Sequence, residues 1–278
     1  MFGSPEEAAV SGVLSMLLEV SANPKSGNVD RGHNFPDMKY EHFLVSASNS
    51  FPVFLMAARR EKSVGELILE SVKNSFKKTG KNVHFGCFLL LIPLLYCWRG
   101  DSKEITSNAA EELRRSTVKD SLAVLNAFEI SKPRVIDADD LSLKDGHTAD
   151  ILAKNDMNLY KWMQMAPEDN IIAKELVEGY KNSLRGMKLI FDFYDGDINS
   201  AIVMTYHTFL SELRDPLVLS KFGEDVVEEI RDKAKLSLSL KNFEELDEEF
   251  IKRGINPGTI ADITVSSIFL ALAEGLRI

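Results

Sequence analysis

The run Phe85-Gly86-Cys87-Phe88-Leu89-Leu90-Leu91-Ile92-Pro93-Leu94-Leu95-Tyr96-Cys97-Trp98 is the most apolar window of the chain. Charged residues flank it at Lys81 and Arg99, and Gly100 ends it. It is shorter than the ~18 apolar residues that a membrane span needs, and Pro93 interrupts it. An element that is apolar all round and too short to cross a bilayer belongs in a protein core. The run is therefore read as a buried helix, Val83–Trp98, around which the other helices pack. Outward from it, apolar residues recur with helical spacing. Ser4-Pro5-Glu6-Glu7 is a capping box with proline at the first helical position, opening a helix to about Val20. Further helices are expected over Tyr40–Ala58, Ser63–Lys78, Thr117–Ile130, Pro167–Asp192, Asp197–Leu213, Gly223–Leu240, Asn242–Arg253 and Thr259–Leu276. Val135-Ile136 and Met187–Phe193 are the β-leaning fragments, and the second fits a helix better. The expected fold is all-α: a single-domain multi-helix bundle over residues 1–278 with an interior ligand cleft.

The chain has 278 residues, 45% hydrophobic and 27% charged, an ordinary globular composition large enough to enclose a site. Its net charge of −9 argues against nucleic acid, whose phosphates are bound by an excess of Lys and Arg. A small phosphorylated ligand needs only a local group of cations. Cys87 and Cys97 lie in the apolar run without metal-ligand spacing, which reads as reduced, buried thiols. No basic start followed by an apolar stretch opens the sequence, so a signal peptide is not expected and the cytoplasm is the expected location. The apolar helix faces leave room for a homodimer.

Three polar, Gly-bearing segments interrupt the helices. The first is Asn23-Pro24-Lys25-Ser26-Gly27-Asn28-Val29-Asp30-Arg31-Gly32-His33. The second, Gly80-Lys81-Asn82-Val83-His84-Phe85-Gly86, opens the apolar helix. The third, Gly254-Ile255-Asn256-Pro257-Gly258-Thr259-Ile260-Ala261-Asp262, opens another. Small residues and free backbone N–H groups at a helix start favour anions. Each segment alone also reads as a plain cap and turn. The stretch Ser131–Asp156 breaks the helical pattern and reads as a long loop. His207 reads as a packing residue, and Asp192, Asp195 and Asp197 as a polar turn. Glu66 and Glu70 share a helix face, giving a metal pair or a solvated acidic stripe.

The three segments, taken in order, resemble motifs of the triphosphoribosyl-dephospho-coenzyme A synthase family. Pro24–Arg31 is similar to its Pro-Lys-Pro-Gly-Asn/Leu-Val-Asp-Arg, Gly80–Gly86 to its Gly-x-Asn-Thr-His-x-Gly, and Asn256–Asp262 to its Asn/Ser-Pro-Gly-Gly/Thr-Ser/Thr-Ala-Asp. Gly65-Glu66, Asp169 and Asp215–Gly223 match further positions, and the compact form resembles archaeal members. Ser26, Val83, Ile260, Pro216-Leu217 and Ser220 depart from the pattern, mostly by removing polar groups.

The resemblance implies transfer of the 5-triphosphoribosyl group of ATP to the 2′-hydroxyl of 3′-dephospho-CoA, or a related acceptor, with release of adenine. An oxocarbenium-like transition state makes a nearby carboxylate useful. The triphosphate is retained, so it requires Mg²⁺ and cations, and no Gly-x-x-x-x-Gly-Lys-Ser/Thr loop is present. On this basis Lys25, Arg31 and Lys81, with Lys221, are expected on the triphosphate. Asn28, Asn82 and Asn256 are expected to position ATP. Asp30, Glu66 and His84 are the expected catalytic groups, and Glu66 and Asp262 the expected Mg²⁺ ligands. The departures motivate a second reading, a non-catalytic nucleotide-binding or regulatory protein on the same fold.

Overall fold

The apolar run becomes a helix whose every residue from Cys87 to Leu95 is buried. The structure is a computed structural model describing residues 1–132 and 147–278. Among the described residues there are fifteen α-helices and no strand. They are α1 Pro5–Ser21, α2 Tyr40–Ala58, α3 Val64–Thr79, α4 Phe85–Tyr96, α5 Ser102–Arg115, α6 Val118–Ser131, α7 Thr148–Lys154, α8 Leu159–Gln164 and α9 Ile171–Glu178. The chain continues through α10 Lys181–Phe193, α11 Ile198–Glu212, α12 Pro216–Phe222, α13 Glu224–Leu240, α14 Glu244–Arg253 and α15 Gly258–Ala273. α4 and α15 pack together and form the axis. α1, α2, α3, α5 and α9 surround α4, while α1, α10 and α11 cover α15. The buried apolar side chains of these helices form one continuous core. No helix among the described residues is long and apolar enough to cross a membrane.

The expected helices form with small shifts at their ends, but several readings need correction, and α8 and α12 form where no helix was expected. Pro167–Asp192 is two helices rather than one. Gly179 and Tyr180 both adopt left-handed backbone, at φ 78° and 61°. The break is held from both sides. The fully buried Tyr180 donates its hydroxyl to Leu90 O at 3.0 Å. Glu175, in α9, accepts from the Asn182 and Ser183 N–H groups at 2.8 Å each and so caps α10. Helix α5 was not expected, although Asp101 and Glu104 form a capping box and Ile105, Ala109 and Leu113 bury one stripe. The Ser131–Asp156 loop contains α7 at its far end, while Val135-Ile136 lies outside the described residues.

Gly65 shows how closely the helices approach. A Cβ there would stand 2.4 Å from Asp120 Cα and 2.5 Å from its carbonyl oxygen. The Gly65 N–H also donates to Asp120 Oδ1 at 3.0 Å. Because the obstacle is backbone, it cannot rotate aside. Gly65→Ala is expected to lower stability by at least about 2 kcal/mol, read as the urea midpoint. An unchanged midpoint would contradict this packing.

Candidate active site

Helices α1, α2, α4, α6, α8, α9, α12 and α15 line a cavity of about 540 Å³. All three Gly-bearing segments reach it: Asn28 from the first, Lys81–Gly86 from the second, and Gly254, Asn256, Gly258, Thr259, Ala261 and Asp262 from the third. Glu19, Lys132 and Lys221 add charge. Phe35, Phe43, Phe128 and Trp162 add aromatic rings to the lining, and Phe43 meets the His84 ring edge-on at 5.0 Å.

Two carboxylates set the electrostatics. Asp262 faces α4 across the α4–α15 contact and accepts from Cys87 Sγ–H at 2.9 Å. Burial lifts its pKa to about 7, aided by the negative charge of Glu19 and Asp215. Glu19 is 4% exposed, and burial raises its pKa as well. Its Oε1 forms an ion pair with Lys25 Nζ at 3.4 Å, long for a hydrogen bond.

The neutral polar groups are equally specific. His84 shares a hydrogen bond with Ser46 Oγ through Nδ1 at 2.9 Å, while its buried Nε2 has no partner. Burial depresses its pKa to about 3, so the imidazole is neutral and serves as a hydrogen-bonding group rather than a cation. Asn256 Oδ1 is likewise buried without a partner. Asn28 Nδ2 donates to Tyr206 Oη at 2.6 Å and Pro257 O at 3.2 Å, fastening the first segment to the third. Lys221 Nζ donates to Gly254 O at 2.9 Å at the cavity rim.

Four of the expected site residues stand elsewhere. Lys25 is fully buried; its Nζ is spent on Glu19 and on Val29 O, at 3.3 Å. It reaches the cavity only through the carboxylate it pairs. Asp30 is buried within its own loop, accepting from the Gly32 N–H at 2.7 Å, the His33 N–H at 3.0 Å and the Lys25 N–H at 3.1 Å. The Arg31 guanidinium is exposed and donates to Asn199 Oδ1 at 3.0 Å. Glu66 forms the capping box of α3 with Ser63, accepting its N–H at 3.0 Å. That cap is at the far end of α3 from the second segment, roughly 20 Å along the axis at ~1.5 Å per residue. Glu70 pairs with Lys62.

The departures also find places. Ser26 Oγ meets His207 Nε2 at 2.7 Å, and Ile260 is fully buried in the core. Val83, Pro216 and Leu217 line the cavity. Several cavity residues escaped the reading of the sequence, among them Lys132, the aromatic rings, Glu19 and Cys87. Glu19 is the one charge between Glu7 and Lys25, a visible signal within a helix that is otherwise apolar or small. Cys87 is the reduced, buried thiol expected, but nothing in its spacing points to Asp262.

Gly86 admits Asp262 to this arrangement, because a Cβ on Gly86 would fall 2.0 Å from Asp262 Oδ2. Gly86→Ala is expected to displace that carboxylate and lower activity at least tenfold while the helical circular dichroism is retained. Full activity would show that Asp262 does not need this position.

The profile of the family described as ATP:dephospho-CoA triphosphoribosyl transferase (CitG) matches residues 5–277. A crystal structure assigned as a triphosphoribosyl-dephospho-CoA synthase from Archaeoglobus fulgidus is 45% identical, with a TM-score of 0.74. The similarity covers 84% of this chain and all of that one. No curated protein matches the chain. With the three motif segments meeting at one cavity and the family profile spanning nearly every residue, the chain belongs to the ATP:dephospho-CoA triphosphoribosyl transferase family.

Proposed function

We propose that this cavity binds ATP and transfers its 5-triphosphoribosyl group to the 2′-hydroxyl of 3′-dephospho-CoA. The observation that carries this reading is the meeting of the three segments around one space. The bond from ribose C1′ to adenine breaks and a bond from C1′ to the acceptor oxygen forms. The proton lost by the hydroxyl equals the one the departing adenine takes up, so the reaction needs no net acid or base. The aromatic rings of the lining suit the adenine ring. Lys81 and Lys221 suit the triphosphate, with Lys132 beside them. Asn82, Asn256 and the neutral His84 suit orientation of the ribose and its phosphates. A carboxylate near C1′ favours an oxocarbenium-like transition state.

Three lysines are few for a triphosphate inside a protein of net charge −9. Glu19, ion-paired with Lys25 at 3.4 Å, and Asp262, whose carboxylate accepts only from Cys87, both line the cavity and fit Mg²⁺, which takes one or two protein carboxylates and keeps several waters. The ion would supply neutralisation of phosphate charge. Asp262 thus keeps the role expected of it, and Glu19 takes the place expected for Glu66. A cytoplasmic location suits both substrates.

Adenine release from ATP, followed chromatographically with and without 3′-dephospho-CoA, tests the reading. Adenine should form only with the acceptor present, together with one triphosphoribosylated product per adenine. ATP binding with no adenine formed would instead support the non-catalytic reading.

A further inference from the structure

Asn28 carries an amide whose direction the fold dictates. Its Nδ2 lies 2.6 Å from Tyr206 Oη and 3.2 Å from Pro257 O. A carbonyl can only accept, so the atom beside Pro257 must be the amide nitrogen. The Tyr206 hydroxyl agrees. Its single hydrogen goes to Ser26 O at 3.0 Å, so toward Asn28 it can only accept. Two backbone carbonyls, one in the first segment and one in the third, thus forbid the flipped amide. Both hydrogens of Nδ2 are spent, and Oδ1 is the polar atom that remains. Among the described residues nothing donates to it. Asn28 is 7% exposed and lines the cavity, whereas Tyr206 is fully buried and does not line it. The anchored nitrogen faces sealed protein, which leaves Oδ1 as the group this residue offers to the cavity.

An amide oxygen fixed in this way selects the chemistry that meets it. It has no hydrogen to give, so a phosphate oxygen, itself an acceptor, gains nothing there. A donor is required, and position favours a ribose hydroxyl. Pro257 directly precedes α15, and Asp262 stands five residues beyond it, roughly 8 Å along the helix axis. A ribose whose C1′ faces Asp262 brings its hydroxyls to this stretch of wall. The bond also serves the chemistry. Hydrogen bonds from the hydroxyl next to the reacting carbon strengthen as an oxocarbenium-like transition state forms.

We infer, on the reading that ATP binds in this cavity, that Asn28 is a specificity-determining residue. Its Oδ1, held in direction by Tyr206 and Pro257, accepts from a ribose hydroxyl of the bound nucleotide and so selects ribonucleotide over deoxynucleotide donors. Tyr206 is the positioning residue, because it touches the amide and not the ligand.

The test is calorimetric titration of the full-length protein with ATP, 2′-deoxy-ATP, 3′-deoxy-ATP and inosine triphosphate, each with Mg²⁺ and without the acceptor. For the wild type, at least one deoxy analogue should bind about tenfold more weakly than ATP, or worse, because Oδ1 is then left without its donor. Asn28→Ala should bring ATP down to the level of that analogue and leave the analogue's own affinity unchanged. Tyr206→Phe frees the amide to turn, so it should narrow the gap between ATP and that analogue while the helical circular dichroism is retained. Equal wild-type affinity for ATP and both deoxy analogues overturns the inference and leaves nucleotide binding intact. Asn28→Ala weakening every nucleotide alike also overturns it, and makes the residue a structural tie or a ligand of the ion. Discrimination against inosine triphosphate instead, abolished by Asn28→Ala, would put the adenine amino group at Oδ1 and overturn the ribose assignment. Should Asn28→Ala fold poorly, an undiminished gap in Tyr206→Phe overturns the inference. No ATP binding to the wild type would overturn the nucleotide reading of the cavity and this inference together.

Discussion

Asp262→Asn is expected to lower adenine formation by a factor of 100 or more while making the ligand-free protein more stable at pH 8. The two effects share one cause. Asp262 is the carboxylate that the α4–α15 contact holds against the cavity, with Cys87 donating to it at 2.9 Å. Burial lifts its pKa to about 7, against about 3.9 in an unfolded chain. The folded state therefore holds this proton more tightly than the unfolded state does. Its stabilising share is complete below pH 4, declines as pH rises toward 7, and is gone above that. A separation of about three pKa units corresponds to roughly 4 kcal/mol at most. Asparagine keeps the shape without the charge and removes this pH dependence. Urea midpoints in a chelator should be higher for the variant at pH 8 and similar to wild type near pH 4. Mg²⁺-dependent ATP binding should weaken, because the proposed ion loses its ligand. Full activity with an unchanged pH–stability curve would remove Asp262 from the site.

Asp215→Ala should produce the largest loss of stability. Asp215 Oδ1 accepts from the Leu217 and Val218 N–H groups at 2.8 and 3.1 Å, capping α12. Its Oδ2 accepts from the Thr259 and Ile260 N–H groups at 2.9 and 3.0 Å, at the start of α15. One buried carboxylate thus ties together the two helix starts that flank the cavity. Removing it strands four backbone donors, each costing ~1–3 kcal/mol if left unpaired and buried. Partial relaxation of the short α12 should limit the total to about 3–5 kcal/mol. Asp215→Asn retains one acceptor oxygen but turns an amide donor toward the other pair of N–H groups, so an intermediate loss is expected. ATP affinity should fall with stability, because Asn256 and Asp262 flank the clipped turn. Denaturation in urea and ATP titration on the same preparations check both parts. A loss under 1 kcal/mol would mean that water replaces the carboxylate freely.

The helices were legible where burial is one-sided or complete. α4 and α15 announce themselves by apolar runs, and α1 by its capping box. The break at Gly179–Tyr180 was not legible, because the apolar pattern runs through it. Partners distant in sequence hold it: Leu90 accepts the Tyr180 hydroxyl. The site was legible as backbone. Glycines, prolines and amides at helix starts marked the three segments, and all three reach the cavity. Side-chain direction was not legible. Lys25 and Asn28 share one turn, yet the lysine turns into the interior toward Glu19 while the amide meets the cavity. Glu66 was a readable miss: Ser63-x-x-Glu66 is a capping box, and that local use competes with any ligand role. Glu19 was missed because a single glutamate within a helix carries no motif.

A crystal structure of the protein with ATP and Mg²⁺, without the acceptor, tests the central claim most directly. The account predicts ATP inside the cavity, adenine stacked on the aromatic rings of its lining, phosphates toward Lys81 and Lys221, and the ion at Asp262 and Glu19. ATP bound on the outer face of the first segment, at Arg31, or elsewhere with the cavity left to solvent, would contradict it.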